Sequence, residues 1–203
     1  MKKNKISKNW INKQRRDIFV KKSKIEGYRS RAVYKLQEID DNFKIFQNGI
    51  SVIDLGAAPG SWSQYASKKI KNGKILSIDL LDFEKIDKIF QLKGDFTNDK
   101  VKEKIKNYFN AKVDVVISDM AVNTTGNKNL DSINTSELCI EAMNFSQDIL
   151  KKNGKFVSKI FMGSTFNDII KESKKIFIEN KVFKPAASRK DSKESFIICK
   201  FLR

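Results

Sequence analysis

The stretch "VIDLGAAPGSWSQ", Val52 to Gln64, passes from apolar and β-branched residues into a bend built from glycine and proline, with an aspartate at the junction. Its first half reads as a buried strand and its second as the start of a helix, so the two meet in a tight loop. In "DLGAAPG", Gly56 and Gly60 let the backbone pass close to a ligand while the following helix offers its N-terminal amides. This is the nucleotide-facing corner of a doubly wound sheet. A Walker loop needs a GK[ST] ending and the dinucleotide fingerprint GxGxxG needs two more glycines in register; both are absent, which disfavours NAD-linked hydride transfer.

Outward from this corner, short apolar runs alternate with helical stretches. An amphipathic helix follows Ser30, with Val33, Leu36, Ile39 and Phe43 as its stripe and Lys35 beside it. After "SVIDLG" come a helix over 61–71, the runs "KILSID" and "KIFQLKGD", a helix over 98–109, and "VDVVISD". A long helix over 132–150 precedes "KFVSKIF", a helix over 166–178, and the runs "VFKPAAS" and "SFIICKF". Strands alternating with helices predict an α/β fold with a mostly parallel sheet covered on both faces. Only the polar loop "RKDSKE" separates the last two strands, too short for a parallel crossover, so they must pair antiparallel.

Three acids stand at successive strand ends: Asp54, Asp79 in "SIDLL" and Asp95 in "KGDF". Taken singly each can be a helix cap. Taken together with the glycine bend they suit a nucleoside cofactor that has no phosphates and carries positive charge. S-adenosylmethionine answers that description.

The 203 residues suffice for one well-buried domain. Forty-one basic residues against twenty-four acidic ones give a net charge of +17, which favours a polyanionic partner, although biased Lys-rich coding produces the same total. Histidine is absent, which removes imidazole-based triads and the usual imidazole metal ligands, and no metal site is expected. Cys139 and Cys199 lie far apart, outside any CxxC pattern, and read as buried apolar residues. No stretch approaches the roughly 20 apolar residues of a membrane span, so a soluble intracellular protein with no membrane partner is expected.

The ordered set "RSRAVYKL", "DLGAAPGSWSQ", "IDLL", "GDF", "SDMA.N..G" and "SRKDSKES" resembles the FtsJ/RrmJ family of RNA ribose 2'-O-methyltransferases over nearly the whole chain. The resemblance implies the Rossmann-like class I methyltransferase fold, seven strands with the last antiparallel. It also implies a catalytic tetrad at Lys35, Asp119, Lys159 and Glu194, with Lys159 the leading candidate to deprotonate or hold the 2'-hydroxyl. Sheet geometry agrees: Asp119 and Lys159 close to the ends of parallel strands, and Glu194 at the start of the antiparallel one, should share a single rim. A lysine serving as base needs a pKa of roughly 7–8 instead of about 10.4.

For S-adenosylmethionine the resemblance implies contacts from Gly56, Pro59, Gly60, the backbone at Ser61 and Trp62, Asp79, Asp95, the Phe96 amide and Asp119, joined by Asp54 from the strand-end reading. Trp62 also admits a place in the core. Val122 stands where the family usually has proline, which bears on the substrate-side loop. The basic stretches "KQRRDIFVKKSK" and "GYRSR" predict phosphate contacts at Arg15, Arg16, Arg29 and Arg31, with Arg189 and Lys193 on the opposite side. Residues 1–28 read as a basic arm and 29–203 as the methyltransferase domain, in a protein expected to be monomeric. A uridine of large-subunit ribosomal RNA is the expected target, with the tRNA anticodon loop and a non-catalytic ribosome-assembly role as rivals. Cytoplasm and mitochondrion both stay open, although the family domain begins so near Met1 that a presequence has no room.

Overall fold

A computed structural model describes residues 17–122 and 128–203. Its elements in chain order are α1 (Ile18–Ile25), α2 (Val33–Phe43), β1 (Ser51–Leu55), α3 (Ser61–Lys69), β2 (Lys74–Asp79), β3 (Ile89–Lys93) and α4 (Asp99–Phe109). They continue with β4 (Val113–Ser118), α5 (Lys128–Ile149), β5 (Leu150–Phe161), α6 (Phe166–Ile176), β6 (Phe177–Phe183) and β7 (Glu194–Leu202). The strands form one sheet in the order β3-β2-β1-β4-β5-β7-β6. The pairs β3-β2, β2-β1, β1-β4 and β4-β5 are parallel, while β7 lies antiparallel to both β5 and β6. The chain reverses its direction of winding between β1 and β4, and a ligand crevice opens at such a switch point.

Strand alternation sorts the core into two layers. Val52, Val115, Ile117, Val157, Phe196 and Ile198 face α2 and α3, packing with Leu36, Ile39, Trp62 and Tyr65. Ile53, Leu55, Leu76, Ile78, Val116, Phe156 and Ile197 face the other way, packing with Ile105, Phe145, Ile149 and Ile169 from α4, α5 and α6. The central strands β1, β4, β5 and β7 are therefore apolar on both faces, as expected where a sheet is covered on both sides, while the edge strands β3 and β6 are largely exposed. Cys139 and Cys199 are both buried, consistent with their reading as small apolar residues.

Some boundaries differ from the expected ones. The "VFKPAAS" strand is displaced towards the N-terminus: β6 begins at Phe177, directly after α6, with no polar turn to signal the change. Pro185 lies beyond its end, where it removes no ladder hydrogen bond. β5 is longer than "KFVSKIF", because Leu150 already pairs with Val113 ahead of a register shift whose extra residues lie in β5. Within the expected arm, residues 18–25 are helical: Asp17 caps α1 by accepting from the Phe19 and Val20 amides. Phe19 and Tyr28 pack on the core beneath it. Arg15 and Arg16 lie outside the described residues.

Phe156 is fully buried in β5 and stacks on Phe177 with ring centroids 5.9 Å apart. Phe156→Ala should lower the unfolding free energy by about 3–5 kcal/mol in urea titrations, through lost burial and the cavity left behind.

Candidate active site

The register of the sheet sets the chemistry. Ser118 of β4 pairs with Ser158 of β5, so the next residues, Asp119 and Lys159, emerge side by side at the rim. Lys159 pairs with Phe196 and Phe161 with Glu194, which puts Glu194 diagonal to Lys159 on the same face. That face carries Ile117, Val157 and Phe196, and is the one covered by α2. Lys35, in the first turn of α2, completes the group from above.

The distances make this one network. Lys35 Nζ donates to Glu194 Oε2 at 2.8 Å and to Asp119 Oδ2 at 3.5 Å. Lys159 Nζ lies 3.0 Å from Asp119 Oδ1 and donates to the Asp119 carbonyl oxygen at 2.5 Å. Asp119 Oδ1 is ion-paired yet accepts no well-directed hydrogen bond among the described residues. Ser188 Oγ donates to Glu194 Oε1 at 2.8 Å, and Lys35 sits 5.7 Å from the Phe196 ring centroid.

Burial acts to lower the pKa of Lys35, but the Asp119 and Glu194 carboxylates outweigh it and hold the group above the ordinary lysine value. Burial alone would raise Asp119; Lys159 and Lys35 reverse that and hold it below the usual carboxylate range. The site thus contains a fixed cation at Lys35 and a fixed anion at Asp119.

Beside the network opens a cleft of ≈ 660 Å³ at the switch point, lined by Gly56, Ala58, Asp79, Asp95, Phe96 and Asp119 among others. Sequence reasoning missed other lining residues, including Leu80, Leu81, Thr97 and Leu138; only the "DLL" run offered a signal. Asp79 at the end of β2 accepts from the Ala58 amide at 2.9 Å and the Leu81 amide at 2.8 Å, which orders both flanks of the cleft. Asp95 Oδ1 accepts from the Thr97 amide and hydroxyl at 2.9 and 2.8 Å. Gly56 has φ 72°, and a Cβ there would collide with Met120, so the turn depends on glycine.

Of the expected cofactor contacts, Asp54, Pro59, Gly60, Ser61 and Trp62 are not among the residues lining the cleft. Asp54 shares its strand face with Val52, so its carboxylate turns towards α3 and is only 1% exposed. It accepts from Ser63 Oγ at 2.5 Å, and Ser63 Oγ lies 2.5 Å from Ser77 Oγ. The Trp62 side chain belongs to the core, with its indole N–H donating to the Ala32 carbonyl at 2.8 Å. Ser61 is buried and hydrogen-bonded to Ser30, while Pro59 is exposed beyond the cleft lining and Gly60 caps α3.

The expected phosphate contacts are partly committed inside the protein. Arg29 donates to three backbone carbonyls, and Arg31 binds Asp17 and the Ala187 carbonyl. Arg189 Nε lies 3.8 Å from the same Asp17 carboxylate, and Lys193 is exposed. Glu38, which sequence reasoning did not single out, accepts from the Ala186 and Ala187 amides at 2.6 and 2.8 Å and steadies the loop before Glu194.

A family model described as FtsJ-like methyltransferase matches residues 28–202. The chain belongs to the FtsJ-like methyltransferase family. "Ribosomal RNA large subunit methyltransferase E" of Pelagibacter ubique is 65% identical over 203 residues, covering 100% of both chains. Its counterpart in Rickettsia akari is 46% identical, over 95% of this chain and 87% of that protein. The crystal structure of a Plasmodium falciparum chain described as a ribosomal RNA methyltransferase superposes with TM-score 0.78 at 30% identity, covering 86% of this chain and 98% of that one.

FtsJ-like methyltransferases use S-adenosylmethionine, and the cleft fits it. Three carboxylates and no lysine or arginine are among its lining residues, which suits a cationic, phosphate-free donor and repels a phosphorylated one. The buried Asp119 Oδ1 adds an acceptor with capacity to spare.

Burial raises Asp54 to about 7 against the lowering effect of the Ser63 hydroxyl, with Asp119 and Asp79 adding to the rise. A carboxyl whose folded pKa exceeds its unfolded value binds more protons when folded. Stability from this site is therefore full below about pH 4 and falls as pH rises towards 7. Asp54→Asn should remove that loss: relative to wild type, its unfolding free energy should improve between pH 5 and pH 8, by at most about 4 kcal/mol in chemical denaturation.

Proposed function

We propose that this protein transfers the methyl group of S-adenosylmethionine to the ribose 2'-hydroxyl of a uridine in large-subunit ribosomal RNA, acting as a monomer in a bacterial cytoplasm. The observation that carries the reading is the meeting of Lys35, Asp119, Lys159 and Glu194 in one network at the edge of an acid-lined cleft. The rRNA target and the compartment are supported by the bacterial large-subunit methyltransferases at 65% and 46% identity.

Bound S-adenosylmethionine supplies an electrophilic methyl on a positively charged sulfur. The chain's own task is to hold a weak nucleophile in line with that methyl and to accept its proton. Lys35 is kept cationic by two carboxylates, so it serves as a fixed positive charge that orients Asp119 and Glu194. Lys159 faces a single carboxylate and is the residue assigned to hold the 2'-hydroxyl and receive its proton. Asp119 joins the two lysines and borders the cleft, so the groups that handle donor and acceptor share one anchor. Fixing the reacting atoms in this way is itself a large part of catalysis.

Exposed cations at Lys21, Lys24 and Lys193, with Arg189, are the proposed phosphate contacts on the described chain, and Arg15 and Arg16 are assigned the same role from the sequence. Val122 lines the cleft and is the proposed start of the substrate-side loop.

Tritiated methyl transfer to large ribosomal subunits should fall by about 10²–10⁴-fold in Lys159→Ala. Lys35→Ala should lose a similar factor by releasing Asp119 and Glu194 from their shared cation. Mapping the modified nucleotide in total RNA should find one ribose-methylated uridine in large-subunit rRNA; label appearing in tRNA instead would overturn the target.

A further inference from the structure

The guanidinium of Arg29 joins two loops that border the donor cleft from different sides. Nη1 donates to the Pro59 carbonyl at 3.0 Å and to the Glu84 carbonyl at 2.7 Å, and Nη2 donates to the Lys85 carbonyl at 3.1 Å. The guanidinium lies 6.0 Å from the Phe83 ring centroid, and the Arg29 amide donates to Gln64 Oε1 at 2.9 Å, so the residue is fixed at both ends. Pro59 belongs to the bend whose Gly56 and Ala58 line the cleft. Glu84 and Lys85 belong to the segment that continues from Leu80 and Leu81, which line it as well. Residues 80–88 contain neither helix nor strand, so ladder hydrogen bonds do not hold that segment in place.

The bend is shaped around this side chain. Gly60 has φ 103°, and a Cβ built there would lie 2.8 Å from Arg29 Nη1, so the guanidinium occupies space that any other residue would claim. All three acceptors are backbone carbonyls, and the contact is selected by geometry more than by charge. The Glu84 carboxylate, 3.6 Å away, is itself 90% exposed and adds little. A planar fork with five N–H donors reaches three separated carbonyls, whereas a lysine ammonium is a single point.

We propose that Arg29 is a positioning residue for the methyl donor: it clamps the glycine bend to the 80–88 segment and so fixes the shape of the cleft, instead of serving as a phosphate contact. This rests on S-adenosylmethionine occupying that cleft, which binding of S-adenosylhomocysteine to the wild-type protein tests separately.

Calorimetric titration of S-adenosylhomocysteine and steady-state kinetics on Arg29→Lys and Arg29→Ala make the test. The expected result is affinity about tenfold weaker and KM for S-adenosylmethionine about tenfold higher, with kcat reduced less than threefold. The RNA affinity and its salt slope should stay at wild-type values. Unchanged donor affinity, with weaker RNA binding and a salt slope reduced by about one contact, would overturn the proposal and return Arg29 to the RNA path. If the variants fail to fold, hydrogen exchange on the wild-type protein decides. Amides of residues 83–87 should be protected when S-adenosylhomocysteine binds, because the clamp links them to the bend, and unchanged exchange there would sink the idea.

Discussion

One buried carboxylate shared by two ammonium groups is the constraint on which this site depends. Asp119 lies within 3.0 Å of Lys159 and 3.5 Å of Lys35, and its surroundings exclude most water. Charges so placed are tolerable only as a set: removing one partner leaves another buried without compensation, at several kcal/mol. Lys35 then recruits Glu194 from a strand running the opposite way, and Ser188 takes the remaining side of that carboxylate. The sheet register, the place of α2 and the antiparallel insertion of β7 are what bring these four charges within reach of one another.

A second layer holds the first. Asp17 caps α1 with one oxygen and faces Arg31 and Arg189 with the other, so the start of the described chain is tied to the loops that precede Lys35 and Glu194. Arg31 reaches on to the Ala187 carbonyl, and Glu38 takes two amides of the same loop. The loop between β6 and β7 has no regular structure of its own. These side-chain ties, together with the Glu194 amide donating to Ser192 Oγ at 3.1 Å, replace it.

Much of this was legible in the sequence where a local rule governed the outcome. The β1 bend and the antiparallel end of the sheet followed from glycine placement and loop length. The convergence of Asp119, Lys159 and Glu194 followed from strand polarity once the parallel sheet was accepted. What escaped was side-chain direction. Asp54 and Asp79 lie on the same face of the sheet, yet Asp54, inside β1, turns into the α3 layer while Asp79, the last residue of β2, stays at the mouth of the cleft. Arg29 reads as a free cation because its acceptors are carbonyls 30 or more residues away in the chain, and Arg31 because, beside Asp17, its acceptor is the distant Ala187 carbonyl; a carbonyl leaves no mark in a sequence. Trp62 followed the same pattern, its indole answering the Ala32 carbonyl.

The insertion of β7 between β5 and β6 bears on how the protein is made. Among the described residues β6 pairs only with β7, and β7 supplies Glu194 to the network while following every other described element in the chain. During translation the sheet therefore has a gap beside β5, and Lys35 lacks its nearer carboxylate, until β7 clears the exit tunnel. A nascent chain short of that point has neither the closed sheet nor the full charge network around Lys35.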